Sequence, residues 1–204
     1  MERTPVFTVG HSNHAPDAFA GLLTRHGVTA VADVRSVPFS RLHPQFSRER
    51  LARDLRGRGI SYVFLGRELG ARPADPDCYV DGRVSYPRLA ATPRFREGIR
   101  RVLEGSARHR IALLCAERDP VTCHRTILVA RALEEEAIPV AHILADGSLE
   151  LHASAMLRLA GSLGLPVGDL FVSEADLVAE AYRLQGERIA YVRPEVGTPE
   201  EATT

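Results

Sequence analysis

The sequence contains no lysine and no tryptophan, so all 26 basic residues are arginines. We attribute this to coding bias in a GC-rich genome. Cysteine is also scarce: the three residues are widely spaced, offer no disulfide framework and fit a reducing cytosol. No apolar run approaches membrane-spanning length, and no basic and apolar leader opens the chain. These absences predict a cytoplasmic protein that is neither exported nor inserted in a membrane.

Two nucleotide-binding motifs are absent as well. Neither G-x-G-x-x-G nor G-x-x-x-x-G-K-[ST] follows any predicted strand. The usual dinucleotide and nucleoside triphosphate loops are therefore excluded, and no cofactor is predicted.

The charge of the chain is unevenly distributed, although the net charge of its 204 residues is zero. Residues 1–125 hold 21 Arg against 13 Asp plus Glu, which gives +8. Residues 126–204 hold 5 against 13, which gives −8. A basic first part is suited to binding phosphates or nucleic acid, and equally to docking its own acidic second part.

Five short apolar segments alternate with helical patterns of about 10 to 15 residues. The segments cover residues 6–10, 30–34, 61–65, 111–115 and 140–144. We therefore predict an α/β domain over residues 1–170, with a mostly parallel sheet of about five strands and helices on both faces. Residues 171–204 are predicted to form a helical C-terminal extension. In it, Ser173–Gln185 has helical spacing, Arg188–Arg193 is a candidate edge strand, and disorder is predicted from Gly197 onward.

Residues 66–92 form a long segment rich in proline and glycine, with little periodicity. Irregular segments of that length in compact domains are usually lids, binding loops or disordered regions. Two tyrosines and three charged residues favour an ordered lid: Tyr79 and Tyr86, with Arg67, Glu68 and Arg72. After it, Thr92 and Pro93 are a typical helix start, as cap and first residue.

The most unusual stretch is residues 110–125, where a buried strand passes through a polar turn into a helix. The helix is predicted to begin either with Asp119 as cap and Pro120 in the first position, or with Thr122 as cap. In both cases Cys123 lies in the first turn or just after it. A thiol at a helix N-terminus, beside a histidine and an arginine, is in the setting that lowers a thiol pKa.

Charge near this helix start is the second unusual feature. His124 and Arg125 add positive charge near the positive end of the helix dipole, which is unfavourable unless an anion lies there too. A ligand, or Glu117 and Asp119, would supply that anion. We interpret Arg125 as an anion contact because its planar guanidinium suits phosphate or carboxylate. We interpret Cys115 as a small buried residue at a strand end.

Polar residues follow each predicted strand at its carboxyl end. In chain order they are His11-Ser12-Asn13, Asp33 with Arg35, Arg67-Glu68, the residues from Cys115 to Arg125, and Asp146. The carboxyl ends of parallel strands meet at one edge of a sheet, where open α/β folds bind ligands at a topological switch point. The sequence therefore predicts one site at that edge.

Five sets of motifs lie at these strand ends: Thr8-Val-Gly-His-Ser-Asn13, Asp33-Val-Arg-Ser-Val-Pro38 with Ser40-Arg41, Leu65-Gly-Arg-Glu-Leu-Gly70, Leu114-Cys-Ala-Glu117 with Cys123-His-Arg125, and His142-Ile-Leu-Ala-Asp-Gly147. These motifs resemble those of the family called domain of unknown function 488. Together they extend, in order, from residue 6 to about residue 150. The resemblance implies an α/β fold with polar strand ends. It carries no established reaction, so no catalytic assignment follows from it.

The residue types at this edge favour an enzyme acting on a phosphate-bearing substrate, such as a nucleotide or nucleic acid. The candidate anion-binding residues are Arg35, Arg41, Arg125, His124 and Ser12. The candidate catalytic residues are Cys123 as nucleophile, with His11, Asp33 and Glu117 as acids or bases. Neither Cys115 nor Cys123 has an arginine at the spacing of a cysteine phosphatase or sulfur-transfer loop, which weakens a phosphocysteine or persulfide mechanism.

Two alternatives stand beside the enzyme. A non-catalytic module that holds an anionic small molecule or nucleic acid would need the arginines, but not the inward-pointing acids. A metal site would draw on His11, His14, Cys115, Cys123 and His124. Their spacings, His-x-x-His and Cys-x₇-Cys, match no standard zinc pattern, so no metal is predicted.

Overall fold

The structure, a computed structural model, describes residues 4–169 and 171–194. In that part of the chain, six strands form one sheet and two short strands form a separate hairpin. The strands are β1 (Val6–Gly10), β2 (Ala30–Asp33), β3 (Ser61–Phe64), β4 (Tyr79–Val80), β5 (Arg83–Val84), β6 (Ile111–Cys115), β7 (Val140–Ile143) and β8 (Leu149–Leu151). The spatial order is β3-β2-β6-β1-β7-β8, and only the β7–β8 pair is antiparallel. The predicted α/β class is confirmed, with one strand more than expected.

Helices connect the strands. They are α1 (Pro16–Arg25), α2 (Arg48–Arg56), α3 (Gly66–Leu69), α4 (Tyr86–Ala91), α5 (Pro93–Ser106), α6 (Arg131–Glu135), α7 (His152–Ser162) and α8 (Glu174–Ile189). Three-residue 3₁₀ turns lie at Pro44–Phe46, Pro76–Cys78 and Pro120–Thr122, and a π-helix, Arg125–Ala130, leads into α6. Across the described residues, every helix falls short of the length and apolarity needed to cross a bilayer.

The two faces of the sheet bury two separate apolar clusters, because successive strand residues point to opposite faces. On one face, Val31, Ala112 and Leu114 pack with residues of α1 and α2. On the other, Ala32 and Leu113 pack with residues of α4, α5, α7 and α8. Helices therefore cover both faces, as predicted.

The segment of residues 66–92 is built from short elements. It contains α3, a 3₁₀ turn, the β4–β5 hairpin and α4. Asp81 and Gly82 form the hairpin turn with φ angles of 49° and 73°, conformations that aspartate and glycine accept more readily than most residues. Val84 N donates to Tyr191 O at 2.9 Å and Arg193 N donates to Gly82 O at 2.8 Å, so the segment packs against the end of the described chain.

Some local predictions need correction. Strand β8 lies in a stretch for which the sequence predicted no strand. The candidate edge strand Arg188–Arg193 is wrong: α8 extends to Ile189, and Val192 makes only an isolated bridge to Arg83. The helical repeat of α8 continues through Arg188 and Ile189, which outweighs their strand-like composition. The prediction of disorder from Gly197 onward concerns positions outside the described residues.

Candidate functional site

The carboxyl ends of β2, β6 and β1 lie side by side in the sheet. The connection that leaves β1 crosses β6 to reach β2, whereas the one that leaves β6 crosses β1 to reach β7. The two connections run in opposite directions along the sheet, so a topological switch point lies between β1 and β6. Asp33, His11 and Cys115 lie at the ends of these three strands, as the strand pattern predicted.

The start of the helix after β6 differs from both sequence alternatives. Asp119 does act as a cap, since its Oδ1 accepts the Val121 N–H at 3.1 Å, but it caps only the 3₁₀ turn. Cys123 then has an extended backbone. Its sulfur accepts the N–H of Arg125 at 3.4 Å, and its carbonyl accepts that of Ile127 at 3.2 Å. The sulfur and the carbonyl oxygen of Cys123 therefore accept hydrogen bonds from the first turn of the π-helix.

Arg125 lies in the interior, with no side-chain exposure. Its guanidinium donates from Nη1 to the Glu117 carbonyl at 2.7 Å and from Nη2 to the Arg118 carbonyl at 3.4 Å. Among the described residues its Nε has no hydrogen-bond partner. The structure thus places this predicted anion contact against the backbone of residues 117–118, where it holds the loop after β6.

Two thiols, an imidazole and a carboxylate meet beneath that loop; we call Cys115, Glu117, Cys123 and His124 the Cys/His/Glu cluster. The Nδ1 of His124 lies 3.7 Å from each sulfur. The Cys123 thiol donates to Glu117 Oε2 at 2.9 Å. On its other side, His124 Nε2 lies 3.1 Å from the Val34 carbonyl oxygen. Cys115, Cys123 and His124 are buried, while Glu117 is exposed overall and reaches inward with its carboxylate.

The electrostatics of the Cys/His/Glu cluster favour an ionised carboxylate. Burial opposes ionisation of Glu117, but hydrogen bonds from Cys115 and Cys123 outweigh it and lower the Glu117 pKa to about 2. The hydrogen bond with Cys123, together with burial, raises the pKa of Cys115 well above its usual value. Burial disfavours protonated His124, yet the charge of nearby Cys115 leaves its pKa raised. A carboxylate and an imidazole are thus available beside two thiols.

A second group of contacts joins Asp33 to Arg35. Arg35 donates from Nε to Oδ1 at 2.9 Å and from Nη2 to Oδ2 at 2.6 Å, a bidentate pair in which both residues are buried. Tyr62 donates its hydroxyl to Asp33 Oδ2 at 2.7 Å. Burial opposes the charge on Arg35, but the contacts with Asp33 leave its pKa raised. Asp33 and Arg35, which were both predicted as site residues, are therefore paired with each other. Tyr62, which the sequence analysis did not identify, also contacts Asp33.

His11 stacks on Phe46, with ring centroids 4.4 Å apart. Its Nδ1 lies 2.8 Å from the Ser12 carbonyl oxygen, which can only accept, so Nδ1 carries the hydrogen. Burial, helped by the charge of Arg35, lowers the His11 pKa to about 4. The ring is therefore neutral at pH 7, although the negative charges of Asp33 and Glu117 act to raise its pKa.

Two predicted anion-binding residues lie apart from these contacts. Arg41 is exposed, and in the part of the chain that the structure describes its guanidinium has no hydrogen bond or ion pair. Ser12 has a φ of 45°, and its hydroxyl donates to the Asn13 side chain at 3.3 Å. Neither side chain contacts the Cys/His/Glu cluster.

A groove of about 660 Å³ borders the ends of β2 and β3; we call it the arginine groove. Its lining includes Arg67, Arg72, Arg94, Ser36 and Gly66. Within residues 4–169 and 171–194, the guanidinium groups of Arg67 and Arg94 make no hydrogen bond or ion pair. The sequence drew attention to Arg67 and Arg72 but not to Arg94, which lies at the start of a helix distant in the chain. Sequence spacing held no signal for it.

The same groove lies close to the Cys/His/Glu cluster. The backbone of residues 34–36 separates them: the Val34 carbonyl contacts His124, and Ser36 lines the groove. Residues of α3 pack tightly on this backbone, since a Cβ on Gly66 would lie 2.0 Å from the Arg35 carbonyl oxygen. A ligand in the groove would therefore lie one loop away from the two thiols.

Comparison with known families gives a match over the central part of the chain. A family model described as "Domain of unknown function DUF488" matches residues 15–132, which include β2, β6 and the Cys/His/Glu cluster. No curated protein and no solved structure matches the chain. The opening motif Thr8–Asn13 and the motif His142–Gly147 lie outside the matched range. Because this range is more than half of the 204 residues, the chain belongs to the DUF488 family, whose name records no function.

Proposed function

We propose that this protein is an enzyme acting on a phosphate-bearing substrate, a nucleotide or nucleic acid, at the edge formed by the ends of β2, β6 and β1. The observation that carries the proposal is the Cys/His/Glu cluster at a topological switch point. Reactive groups with perturbed pKa values that meet in such a place are typical of catalytic sites. A hydrolase or transferase is the reaction class that these groups suit.

The substrate class follows from the arginine groove. Among the residues that the structure describes, the guanidinium groups of Arg67 and Arg94 have no partner, and such groups bind phosphate oxygens through charge-assisted, often bidentate hydrogen bonds. This assignment moves the anion-binding role away from Arg35 and Arg125, whose guanidinium groups already contact Asp33 and backbone carbonyls. Arg41 remains available on the surface of the loop after β2.

We assign different roles to the predicted catalytic residues. Glu117 and Cys123 are in direct contact and are the reacting groups of the proposal. Asp33 and His11 support them: Asp33 neutralises Arg35, and His11 packs a neutral ring on Phe46. Three free thiols fit the reducing cytoplasm, where we expect the protein to work.

A non-catalytic anion-binding module is the second candidate. The observation that favours it is the internal pairing of Asp33 with Arg35 and of Arg125 with the 117–118 backbone, which leaves fewer acids and bases for chemistry. Such a module would bind the same ligands in the arginine groove without converting them.

Glu117→Gln separates the two candidates. The variant keeps the shape of the side chain, so binding of nucleoside mono-, di- and triphosphates and of short oligonucleotides should be unchanged in calorimetry. The wild type should convert at least one of these ligands, and its turnover should fall by at least about 100-fold in the variant. Loss of a positioned acid or base costs on the order of 10²–10⁴ in rate. Glu49→Gln on the exposed side of α2 is the matched control. Unchanged turnover in Glu117→Gln would rule out an enzyme with this site.

The substrate class has its own test. Arg67→Ala with Arg94→Ala should weaken nucleotide binding by about 10-fold or more, since two charge-assisted contacts are lost. Arg96→Ala, an exposed arginine on the same helix as Arg94, should leave binding unchanged. If the double variant and the control bind equally well, the ligand does not occupy the arginine groove.

A further inference from the structure

The donor atoms of Cys115, Cys123 and His124 form a compact set. Both sulfurs and the Nδ1 of His124 lie within 4.8 Å of one another, and each sulfur lies 3.7 Å from Nδ1. Bonds of about 2.3 Å to sulfur and 2.0–2.1 Å to nitrogen in a tetrahedral zinc site place the two donors about 3.6 Å apart. The two sulfur–nitrogen separations therefore already match those of a metal site, and the two sulfurs lie within 4.8 Å of each other.

We propose that Cys115, Cys123 and His124 bind one transition-metal ion of the Zn²⁺ class, with the carboxylate of Glu117 as the fourth ligand. This inference shares Cys123 and Glu117 with the proposed function, in which they react free of metal. Ion binding is measured without any substrate, so the two proposals can fail separately. Binding releases the protons of the two thiols to solvent, and the ion keeps its oxidation state.

The tautomer of His124 supports a metal ligand at Nδ1. Its Nε2 lies 3.1 Å from the Val34 carbonyl oxygen, which accepts and cannot donate. In the neutral ring the hydrogen is therefore on Nε2, and the lone pair of Nδ1 points at the two sulfurs. Metal-binding histidines are typically oriented by such a hydrogen bond from the other ring nitrogen.

The fourth position is supplied from the loop above. Glu117 Oε2 lies 2.9 Å from Cys123 Sγ, so the carboxylate needs only a small movement to reach an ion bound to that sulfur. Arg125 fixes the backbone of residue 117 through the hydrogen bond to its carbonyl. The loop thus brings a carboxylate to an otherwise buried site. Because the Glu117 residue is exposed, an ion can reach the site from solvent beside it.

The type of ligand selects the type of metal. Two sulfurs and one imidazole suit zinc and other soft or borderline ions, whereas magnesium and calcium prefer oxygen ligands alone. Two thiolates, a carboxylate and a divalent ion sum to one negative charge. Arg125, whose guanidinium donates to the Glu117 and Arg118 carbonyls, supplies a positive charge nearby. An enzyme-type zinc site, with three firm protein ligands and a replaceable fourth, has the same composition.

The test uses the full-length chain without an affinity tag, reduced with a phosphine and stripped of metal by chelator. Zinc titration against a chromophoric chelator should show one tight site per chain, and zinc should raise the melting temperature. Cobalt should give the charge-transfer absorption of a cobalt–thiolate bond. Cys115→Ser and Cys123→Ser should each weaken zinc binding by more than the roughly 10- to 100-fold that loss of an outer partner costs.

Cys78→Ser is the matched control, because Cys78 is a free, buried cysteine outside the Cys/His/Glu cluster. It should bind zinc like the wild type. Equal zinc affinity in all three serine variants and the wild type would overturn the proposal. Should the cluster variants fail to fold, the wild-type cobalt spectrum decides alone: a spectrum without the thiolate band overturns the proposal. Glu117→Ala should keep that band while weakening zinc binding.

Discussion

Gly10 and Glu117 are in backbone contact at the carboxyl edge of the sheet: a Cβ atom on Gly10 would lie 1.8 Å from the Glu117 carbonyl oxygen. The same oxygen accepts a hydrogen bond from Arg125 at 2.7 Å. The end of β1, the loop after β6 and the buried guanidinium therefore form one tightly packed unit. Its packing decides where the Glu117 carboxylate lies relative to Cys123.

Gly10→Ala should destabilise the protein. The atoms that the new methyl group meets are backbone atoms of residue 117 and the guanidinium of Arg125, which are held by each other and cannot turn aside. Overpacking of this kind costs about 1–3 kcal/mol or more in the free energy of unfolding, measured by urea denaturation.

Gly21→Ala is the control for that experiment. Gly21 lies inside α1, and no atom lies within 4 Å of a Cβ placed on it. Alanine there should raise the free energy of unfolding by about 0.5–1 kcal/mol through helix propensity. Equal stability of the two variants would show that the 117 loop does not pack on β1 as described.

Arg125→Lys should also destabilise the protein, even though the charge is kept. An ammonium group has no planar fork, so it cannot hold both the Glu117 and Arg118 carbonyls. Loss of a buried hydrogen bond to a charged group costs about 1.5–3 kcal/mol. Arg96→Lys, on the exposed side of α5, should change stability by less than about 0.5 kcal/mol. A loss of similar size at both positions would contradict a structural role for Arg125.

Asp33→Asn should leave Arg35 buried without its counter-charge. Breaking a buried pair by removing one partner costs about 3–5 kcal/mol, because the remaining charge is uncompensated. Asp81→Asn is the control, since Asp81 is an exposed turn residue whose positive φ asparagine also accepts. Thermal unfolding should separate the two clearly. If Asp33→Asn melts like Asp81→Asn, the ion pair does not stabilise the fold.

Stability should fall between about pH 6.5 and pH 4 because of a buried histidine chain. Thr8 Oγ1 lies 2.8 Å from His142 Nδ1, His142 Nε2 lies 3.0 Å from His152 Nδ1, and His152 Nε2 contacts the Tyr182 hydroxyl. Burial, with the charge of His152, lowers the pKa of His142 to about 2, and burial lowers that of His152 to about 4. Both rings are neutral in the folded protein at pH 7.

The sign of the effect follows from proton uptake. Below the ordinary pKa of 6.5 the unfolded chain binds protons that the folded chain rejects, so the free energy of unfolding decreases as pH falls. Each histidine contributes up to about 1.4 kcal/mol per pH unit in this window. Urea titrations at several pH values should show a shallower slope for His152→Gln than for His109→Gln, which replaces an exposed histidine. If the free energy of unfolding depends on pH with the same slope in both variants, the lowered pKa of His152 is contradicted.

Much of the fold could be predicted from local pattern. The apolar segments at β1 and β6 were placed correctly because buried parallel strands are continuous apolar runs. Strand β8 was missed, since its exposed leucines at 149 and 151 flank a glutamate and differ little from a helical start. Its strand state depends on pairing with β7, which is a tertiary contact.

In the site, too, some features follow from local sequence pattern and others from tertiary contacts. Polar residues after each strand identified the edge, because parallel strands carry their carboxyl ends together. The partners that those residues take were not predictable: Arg35 turns back on Asp33, and Arg125 turns inward to the 117–118 backbone. A guanidinium is suited to a phosphate, a carboxylate or a carbonyl alike, and only the surrounding chain decides which one it meets.

The amino-acid sequence by itself determined the class of the fold, five of the strands of its main sheet and the edge where reactive residues gather, because these follow from periodicity and from residue types near each other in the chain. Tertiary structure alone decided that Cys115 and Cys123 meet at His124, that Gly10 admits the Glu117 backbone, and that Arg67 and Arg94 share a groove. Such contacts join residues far apart in the chain, and their distances depend on how the helices pack over the sheet.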